Sequence, residues 1–145
     1  MLNVIAIVYL ALLGTVYSAV TPTGPGPNEI FREGQPCKIS WNLDTSNKWK
    51  SFSVDLMSGS NFNMNVVKNV FKGMDGTKGP ASYSAPCPKV TPNSAIYFYQ
   101  FNQAGEEPAW TTRFTIASLA GKFTAPANAT QPDHKPIPWG VAALS

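Results

Sequence analysis

Hydrophobic and polar residues alternate along short segments of this chain, the pattern of β-strands that bury one face. Cys37, Ile39 and Trp41 share one face of such a segment, and the residues between them are polar. The predicted strands are 29–32, 35–42, 51–57, 62–71, 81–85, 95–102 and 110–117. Turn-forming residues separate them, and no segment has a convincing helical period. The sequence therefore predicts an all-β sandwich of about seven strands in which Trp41 points inward.

One predicted strand contains a change of phase. Phe62, Met64 and Val66 alternate with asparagines, and the alternation then shifts at Val67. An extra residue on one strand of an antiparallel pair produces such a shift, so we expect a β-bulge at Val67.

The segments on either side of the predicted sandwich, 29–117, have a different composition. Residues 19–28 are rich in proline and glycine and predict an extended N-terminal arm. Residues 118–145 contain several prolines and show no periodicity, which predicts a flexible tail.

The first residues predict export from the cell. An apolar run at 4–13 is followed by small residues at 16–19, which is typical of a signal peptide over residues 1–18. The run is too short to cross a bilayer, and a buried N-terminal strand or helix is the less favoured alternative. The segment 140–145 is too short for the apolar part of a glycolipid-anchor signal. We expect a secreted protein with no membrane span.

The chain has two cysteines, Cys37 and Cys87. In an exported protein a disulfide is the simplest interpretation, since that compartment is oxidising. Two buried free thiols or a metal pair are the alternatives, and neither cysteine has a Cys or His neighbour at ligand spacing. We expect a Cys37–Cys87 bridge and no metal.

The ionisable residues do not form a recognisable catalytic or nucleic-acid site. The net charge of +3 is spread along the chain, so no nucleic-acid partner is expected. The single histidine, His134, lies in the predicted tail, where it cannot serve a rigid catalytic arrangement. The strand pattern brings no two carboxylates together. We expect a protein that binds, without a cofactor and without catalysis; the competing class is a carbohydrate-active hydrolase that uses Asp55 or Glu107.

Aromatic and amide residues are the candidates for binding. Tyr97, Tyr99 and Phe101 are expected to face the core, which leaves Phe98, Trp49 and Trp110 as the candidates for exposure. Exposed rings stack on sugar rings, and nearby asparagines can hydrogen-bond sugar hydroxyls. We therefore predict a glycan surface formed by Trp49, Phe98 and Trp110.

The chain contains one Asn-X-Ser/Thr sequon, at Asn128. Its position in the predicted tail would give a glycosyltransferase easy access, so N-glycosylation of Asn128 is expected where the host modifies secreted proteins.

Six short motifs follow one another in an order that resembles a known family. They are Gly34, Ile39-Ser40-Trp41, Val54-Asp55-Leu56 with Gly59, Tyr83-Ser84-Ala85-Pro86, Tyr97-Phe98-Tyr99 and Phe114-Thr115-Ile116. This order is similar to the N-terminal domain of the fungal Kre/Knh cell-wall proteins, of the Ser/Thr-rich glycolipid-anchored membrane family. The resemblance covers Pro22 to Ala117, with Tyr83 where family members often carry tryptophan.

The resemblance implies an immunoglobulin-like or fibronectin-III-like sandwich outside the cell, with a role in β-1,6-glucan assembly and no established catalytic residues. We therefore expect a monomeric, non-catalytic wall protein that binds wall glucan or a wall-assembly partner. From the sequence we expect neither the family's long Ser/Thr-rich extension nor its anchor signal. A free secreted form acting on a host as an effector is the alternative function.

Overall fold

The computed structural model describes residues 17–145, which form an all-β protein. The strands are β1 (Thr21–Gly24), β2 (Ile30–Arg32), β3 (Pro36–Asn42), β4 (Phe52–Ser60), β5 (Asn63–Met74), β6 (Ser82–Pro86), β7 (Val90–Thr91), β8 (Ser94–Asn102), β9 (Ala109–Trp110), β10 (Phe114–Ala117) and β11 (Ala143–Leu144). The seven predicted segments all contain strands, and four short strands complete the fold.

Most of these strands form two sheets. The small sheet has the order β1-β3-β6, and the large sheet has the order β2-β10-β8-β4-β5, with β9 beside β8. All neighbours are antiparallel except β2 and β10, which run parallel. The remaining strands, β7 and β11, form a separate two-stranded pair.

The long hairpin of β4 and β5 contains the predicted bulge. Leu56 pairs with Lys68 and Met57 pairs with Val66, so Val67 has no partner in the ladder. The prediction of a bulge at Val67 is confirmed.

Aromatic rings fill the space between the two sheets. Trp41 of the small sheet is 3% exposed and packs edge-on against Phe52, with ring centroids 5.4 Å apart. Phe101 and Phe71 of the large sheet lie 6.0 and 6.1 Å from the same indole. The prediction that Trp41 points inward is confirmed.

The disulfide between Cys37 and Cys87 is present, with Cα atoms 5.0 Å apart. It joins β3 to the segment just after β6, where the Cys87 N–H also donates to Gln35 O at 2.8 Å. Both cysteines are buried. The bridge therefore fastens one end of the small sheet at the margin of the core.

The N-terminal segment 19–28 is more ordered than the expected extended arm. Thr21–Gly24 forms β1, in which Thr21 pairs with Asn42 and Pro22 with Trp41. Proline has no N–H for a ladder, but an edge strand tolerates it because one side of the strand has no partner. The prolines concealed a strand from the sequence pattern.

The prediction of a flexible tail over 118–145 is wrong. The Gly59 N–H donates to Gly140 O at 2.7 Å, and Ala142 is 7% exposed. A Cβ atom added to Gly140 would lie 3.2 Å from Ile96 of β8, so this backbone runs directly against the large sheet. Scattered hydrogen bonds, the two-residue pairing of β11 with β7 and close backbone contact hold the segment, and none of these produces a hydrophobic period.

The expected signal peptide, residues 1–18, falls almost entirely outside the described residues. Within residues 17–145, no helix has the length and hydropathy required to cross a membrane.

Candidate functional site

The outer face of the large sheet carries a line of polar side chains. Val54 and Leu56 of β4 are buried in the core, so Asp55 between them points to the opposite face. Asp55 pairs in register with Asn69 of β5 and Gln100 of β8. Gln100 pairs in turn with Trp110 of β9.

Hydrogen bonds connect these side chains across four strands. The Asn69 amide donates to Asp55 Oδ1 at 2.9 Å, and the Asn102 amide donates to Asp55 Oδ2 at 3.4 Å. The Gln100 amide donates to Asn102 Oδ1 at 2.9 Å, and Trp110 Nε1 donates to Gln100 Oε1 at 2.8 Å. We call Asn69, Asp55, Asn102, Gln100 and Trp110 the polar row.

Trp110 ends the polar row with an exposed aromatic ring. Its side chain is 45% exposed, whereas the large rings of the central strands β4 and β8 are buried. The ring borders a cleft of about 390 Å³ that Asn61, Met64 and Arg113 complete. A second cleft, of about 260 Å³, lies between Trp110 and residues 22–27. The ring thus stands between two concave surfaces.

The predicted exposure of Trp49 is wrong. The side chain of Trp49 is 1% exposed and its ring lies 6.0 Å from Phe52 in the core. Trp49 belongs to a loop, where no alternation shows which way a side chain points. The ring therefore stabilises the core and takes no part in a surface.

Asp44 holds the Trp49 loop in place. Its carboxylate accepts hydrogen bonds from the backbone N–H groups of Ser46, Lys48 and Trp49 at 2.8–2.9 Å, and from the Ser46 hydroxyl. Burial opposes ionisation of Asp44, but the Ser46 hydroxyl and the three N–H groups outweigh it and lower its pKa to about 2.

The predicted exposure of Phe98 is also wrong. Alternation placed Phe98 on the outer face of β8, but its ring is fully buried. The Arg113 guanidinium covers it, with the central carbon 4.1 Å from the ring centroid. A cation over an aromatic face is a favourable contact, and the sequence pattern of one strand could not show it.

Arg113 is itself buried, with 8% of its surface exposed. It donates from Nη1 to Asn61 Oδ1 at 2.7 Å and from Nη2 to Gly59 O at 3.0 Å. Burial lowers the pKa of the Arg113 guanidinium to about 10, so it is charged at neutral pH. A permanent cation therefore lies beside Trp110 on the outer face.

The sequon residue Asn128 lies in an ordered part of the C-terminal segment. The backbone N–H groups of Asn128 and Trp139 each donate to the carbonyl of the other, at 3.0 and 2.9 Å. Asn128 is half-buried and Thr130 is exposed. N-glycosylation of Asn128 stays a prediction.

Sequence reasoning missed most of the polar row. The only sequence signal for its other members is that polar residues alternate with core residues along the strands. These members are Asp55, Asn69, Gln100 and Asn102. The register that aligns them is a property of four paired strands. Within residues 17–145, no group of three or more acidic, histidine or cysteine residues could hold a metal ion.

Two packed, mainly antiparallel sheets with a disulfide at the margin of the core define a member of the immunoglobulin-like β-sandwich class. The family model of the Kre9/KNH-like N-terminal Ig-like domain matches residues 24–116, which is more than half of the chain. The chain therefore belongs to the Kre9/KNH-like family, which is associated with the fungal cell wall.

Among solved structures, the chain is similar to Drosophila OTK, extracellular domains 3-5. The identity is 13% and the TM-score 0.40, over 73% of this chain and 38% of the OTK chain. In the comparison with curated proteins, no protein matches the chain.

Proposed function

We propose that this protein is a secreted, non-catalytic wall protein that binds cell-wall glucan through the polar row. The observation that supports the proposal is the alignment of Asn69, Asp55, Gln100 and Trp110 on four neighbouring strands. Family membership supplies the cell wall as the setting. The disulfide is in keeping with a protein that folds in an oxidising compartment.

The chemistry of the polar row suits a neutral polysaccharide. Amide groups both donate and accept hydrogen bonds, and a carboxylate accepts several, so together they can match sugar hydroxyls in either role. The row extends over three interstrand spacings, roughly 14 Å. An extended oligosaccharide of a few residues can follow it, and the Trp110 ring offers an apolar face for stacking.

The same contacts favour binding over hydrolysis. Glycoside hydrolysis requires two carboxyl groups on either side of the scissile bond. Asp55 belongs to the row, but both of its oxygens accept hydrogen bonds from neighbouring amides. These bonds position the carboxylate as a hydrogen-bond acceptor.

Affinity electrophoresis in gels containing β-1,3- or β-1,6-glucan tests the proposal. The wild-type protein should be retarded in at least one gel, and Trp110→Ala should run without retardation. Phe123→Ala is a matched control because Phe123 is 50% exposed and lies outside the polar row. Equal retardation of wild type and Trp110→Ala would contradict the proposal, as would release of reducing sugar by the wild-type protein.

A further inference from the structure

Arg113 carries a buried charge without an anionic partner. The described ion pairs involve Lys48 with Glu106 and Lys135 with Asp133; within residues 17–145, no carboxylate pairs with Arg113. The Arg113 Nε–H also has no hydrogen-bond acceptor among the described residues.

The contacts of Arg113 compensate its charge only in part. A guanidinium has five N–H donors, and two hydrogen bonds from Arg113 reach neutral oxygens, of Asn61 and Gly59. The Phe98 ring supplies the cation–π contact on one face. Burying a charge without a counter-ion is costly, so a site of this kind favours an incoming anion.

Two clefts meet at Arg113. One is the cleft of about 390 Å³ that Arg113 shares with Asn61, Met64 and Trp110. The other has a volume of about 490 Å³ and lies between Arg113 and the proline-rich part of the C-terminal segment at residues 136–138. The first cleft includes Trp110, so it continues the polar row at the end where the aromatic ring is exposed.

We propose that the Trp110–Arg113 cleft binds a carboxylated sugar residue, a hexuronic acid, within a wall polysaccharide. The carboxylate would pair with the guanidinium of Arg113, whose planar fork matches a carboxylate in two parallel hydrogen bonds. The sugar ring would lie against Trp110 and Met64. The proposal rests on the proposed function and adds a charge preference to it.

A carboxylate fits this cleft better than a phosphate ester does. The lining contains a single cation, Arg113, and no lysine. One guanidinium neutralises the single charge of a carboxylate, whereas a phosphate monoester carries nearly two charges at neutral pH. The excess charge would be left in a partly buried position.

Isothermal titration calorimetry with two matched ligands tests the proposal. The ligands are a β-1,3-glucan oligosaccharide and the same oligosaccharide oxidised at C6 to glucuronic acid. The wild-type protein should bind the oxidised form about tenfold more tightly, the gain expected from a charge-assisted hydrogen-bonded pair. A 6-phosphorylated oligosaccharide is the third ligand, and a preference for it would contradict the choice of a carboxylate.

Two variants test whether Arg113 causes the preference for the oxidised oligosaccharide. In Arg113→Gln the ratio of the two affinities should fall to about one, while Lys122→Gln, which removes an exposed charge elsewhere, should keep it. A preference that survives Arg113→Gln would place the anion at another site and overturn the proposal. Equal binding of both ligands by the wild type would overturn it and leave the proposed function intact. Binding of neither ligand would overturn the proposal, and it would contradict the proposed function as well if a β-1,6-glucan oligosaccharide also fails to bind.

An NMR measurement on the wild-type protein covers the case in which Arg113→Gln fails to fold. The Nε–H signal of Arg113 should shift when the oxidised oligosaccharide is added and should stay in place with the neutral one. An unchanged Nε–H signal in the presence of saturating oxidised ligand would overturn the proposal.

Discussion

The indole Nε1 of Trp110 donates a hydrogen bond to Gln100 Oε1, 2.8 Å away on the neighbouring strand. This bond ties an exposed ring to the rigid centre of the large sheet. An aromatic ring that is already fixed in orientation loses little freedom when a ligand stacks on it.

Loss of this bond should weaken glucan binding while the fold stays intact. In Gln100→Ala the Trp110 ring loses its partner and the polar row is interrupted, so we expect a several-fold lower affinity for glucan oligosaccharides. The free energy of unfolding should fall by only about 2 kcal/mol, since two partly exposed side-chain hydrogen bonds, to Trp110 and Asn102, are lost. Calorimetric titration and urea denaturation measure the two quantities, and an unchanged affinity would contradict the role given to Gln100.

Trp49 and Trp41 should both prove essential for stability. Both indoles are buried in one aromatic cluster around Phe52, at centroid distances of 6.0 and 5.4 Å. Trp49→Ala and Trp41→Ala should each lower the free energy of unfolding by about 3–5 kcal/mol. Trp110→Ala is the control and should lower it far less, because its ring is exposed. A Trp49→Ala variant as stable as wild type in urea would contradict the burial of this ring.

Asp44 should make the stability of the protein depend on pH. Its pKa is lowered from 3.8 to about 2 in the folded state, so its contribution is present above about pH 4 and is lost as pH falls toward 2. Thermal melts of wild type and Asp44→Asn at pH 7 and pH 2.5 measure the effect. The difference in melting temperature between the two should be large at pH 7 and smaller at pH 2.5. A difference that does not change with pH would contradict this role.

Ser58 should fasten the C-terminal segment to the large sheet. Its hydroxyl accepts from the Ala142 N–H at 2.9 Å and donates to Asn65 Oδ1 at 2.9 Å, while the Asn65 amide donates to Ala142 O at 3.2 Å. In Ser58→Ala the amide of Ala142 should exchange with solvent at least about tenfold faster, for a loss of about 1.4 kcal/mol or more. Thr112→Ala, at an exposed position outside this triangle, is the control. Equal exchange rates in Ser58→Ala and wild type would show that other contacts hold the segment.

The strands and their inward faces could be predicted because burial repeats every two residues along a strand. Trp41 was placed correctly by its phase with Cys37 and Ile39, and the bulge at Val67 by a break in phase. The same reasoning failed at Trp49, which lies in a loop held by Asp44. Alternation along β8 placed Phe98 on the correct face of the sheet, but it could not show that Arg113 covers the ring there.

The polar row needed information that no single segment contains. Asn69, Asp55 and Gln100 lie on three different strands, and their alignment depends on the three register shifts in the β4–β5 pairing and on the register of β8. The C-terminal segment was missed for a related reason, since Gly140 and Ala142 are held by contacts with Ile96 and Ser58 that leave no pattern in the sequence.

NMR titration of the wild-type protein with β-1,3- and β-1,6-glucan oligosaccharides tests most directly whether the polar row binds glucan. The indole signal of Trp110 and the side-chain amide signals of Asn69, Gln100 and Asn102 should shift together as one binding event. The indole signals of Trp41 and Trp49, which are buried, should stay in place and serve as internal controls. The proposal that the polar row binds glucan would be contradicted if saturating oligosaccharide left its four signals unmoved. It would also be contradicted if only signals on other surfaces shifted.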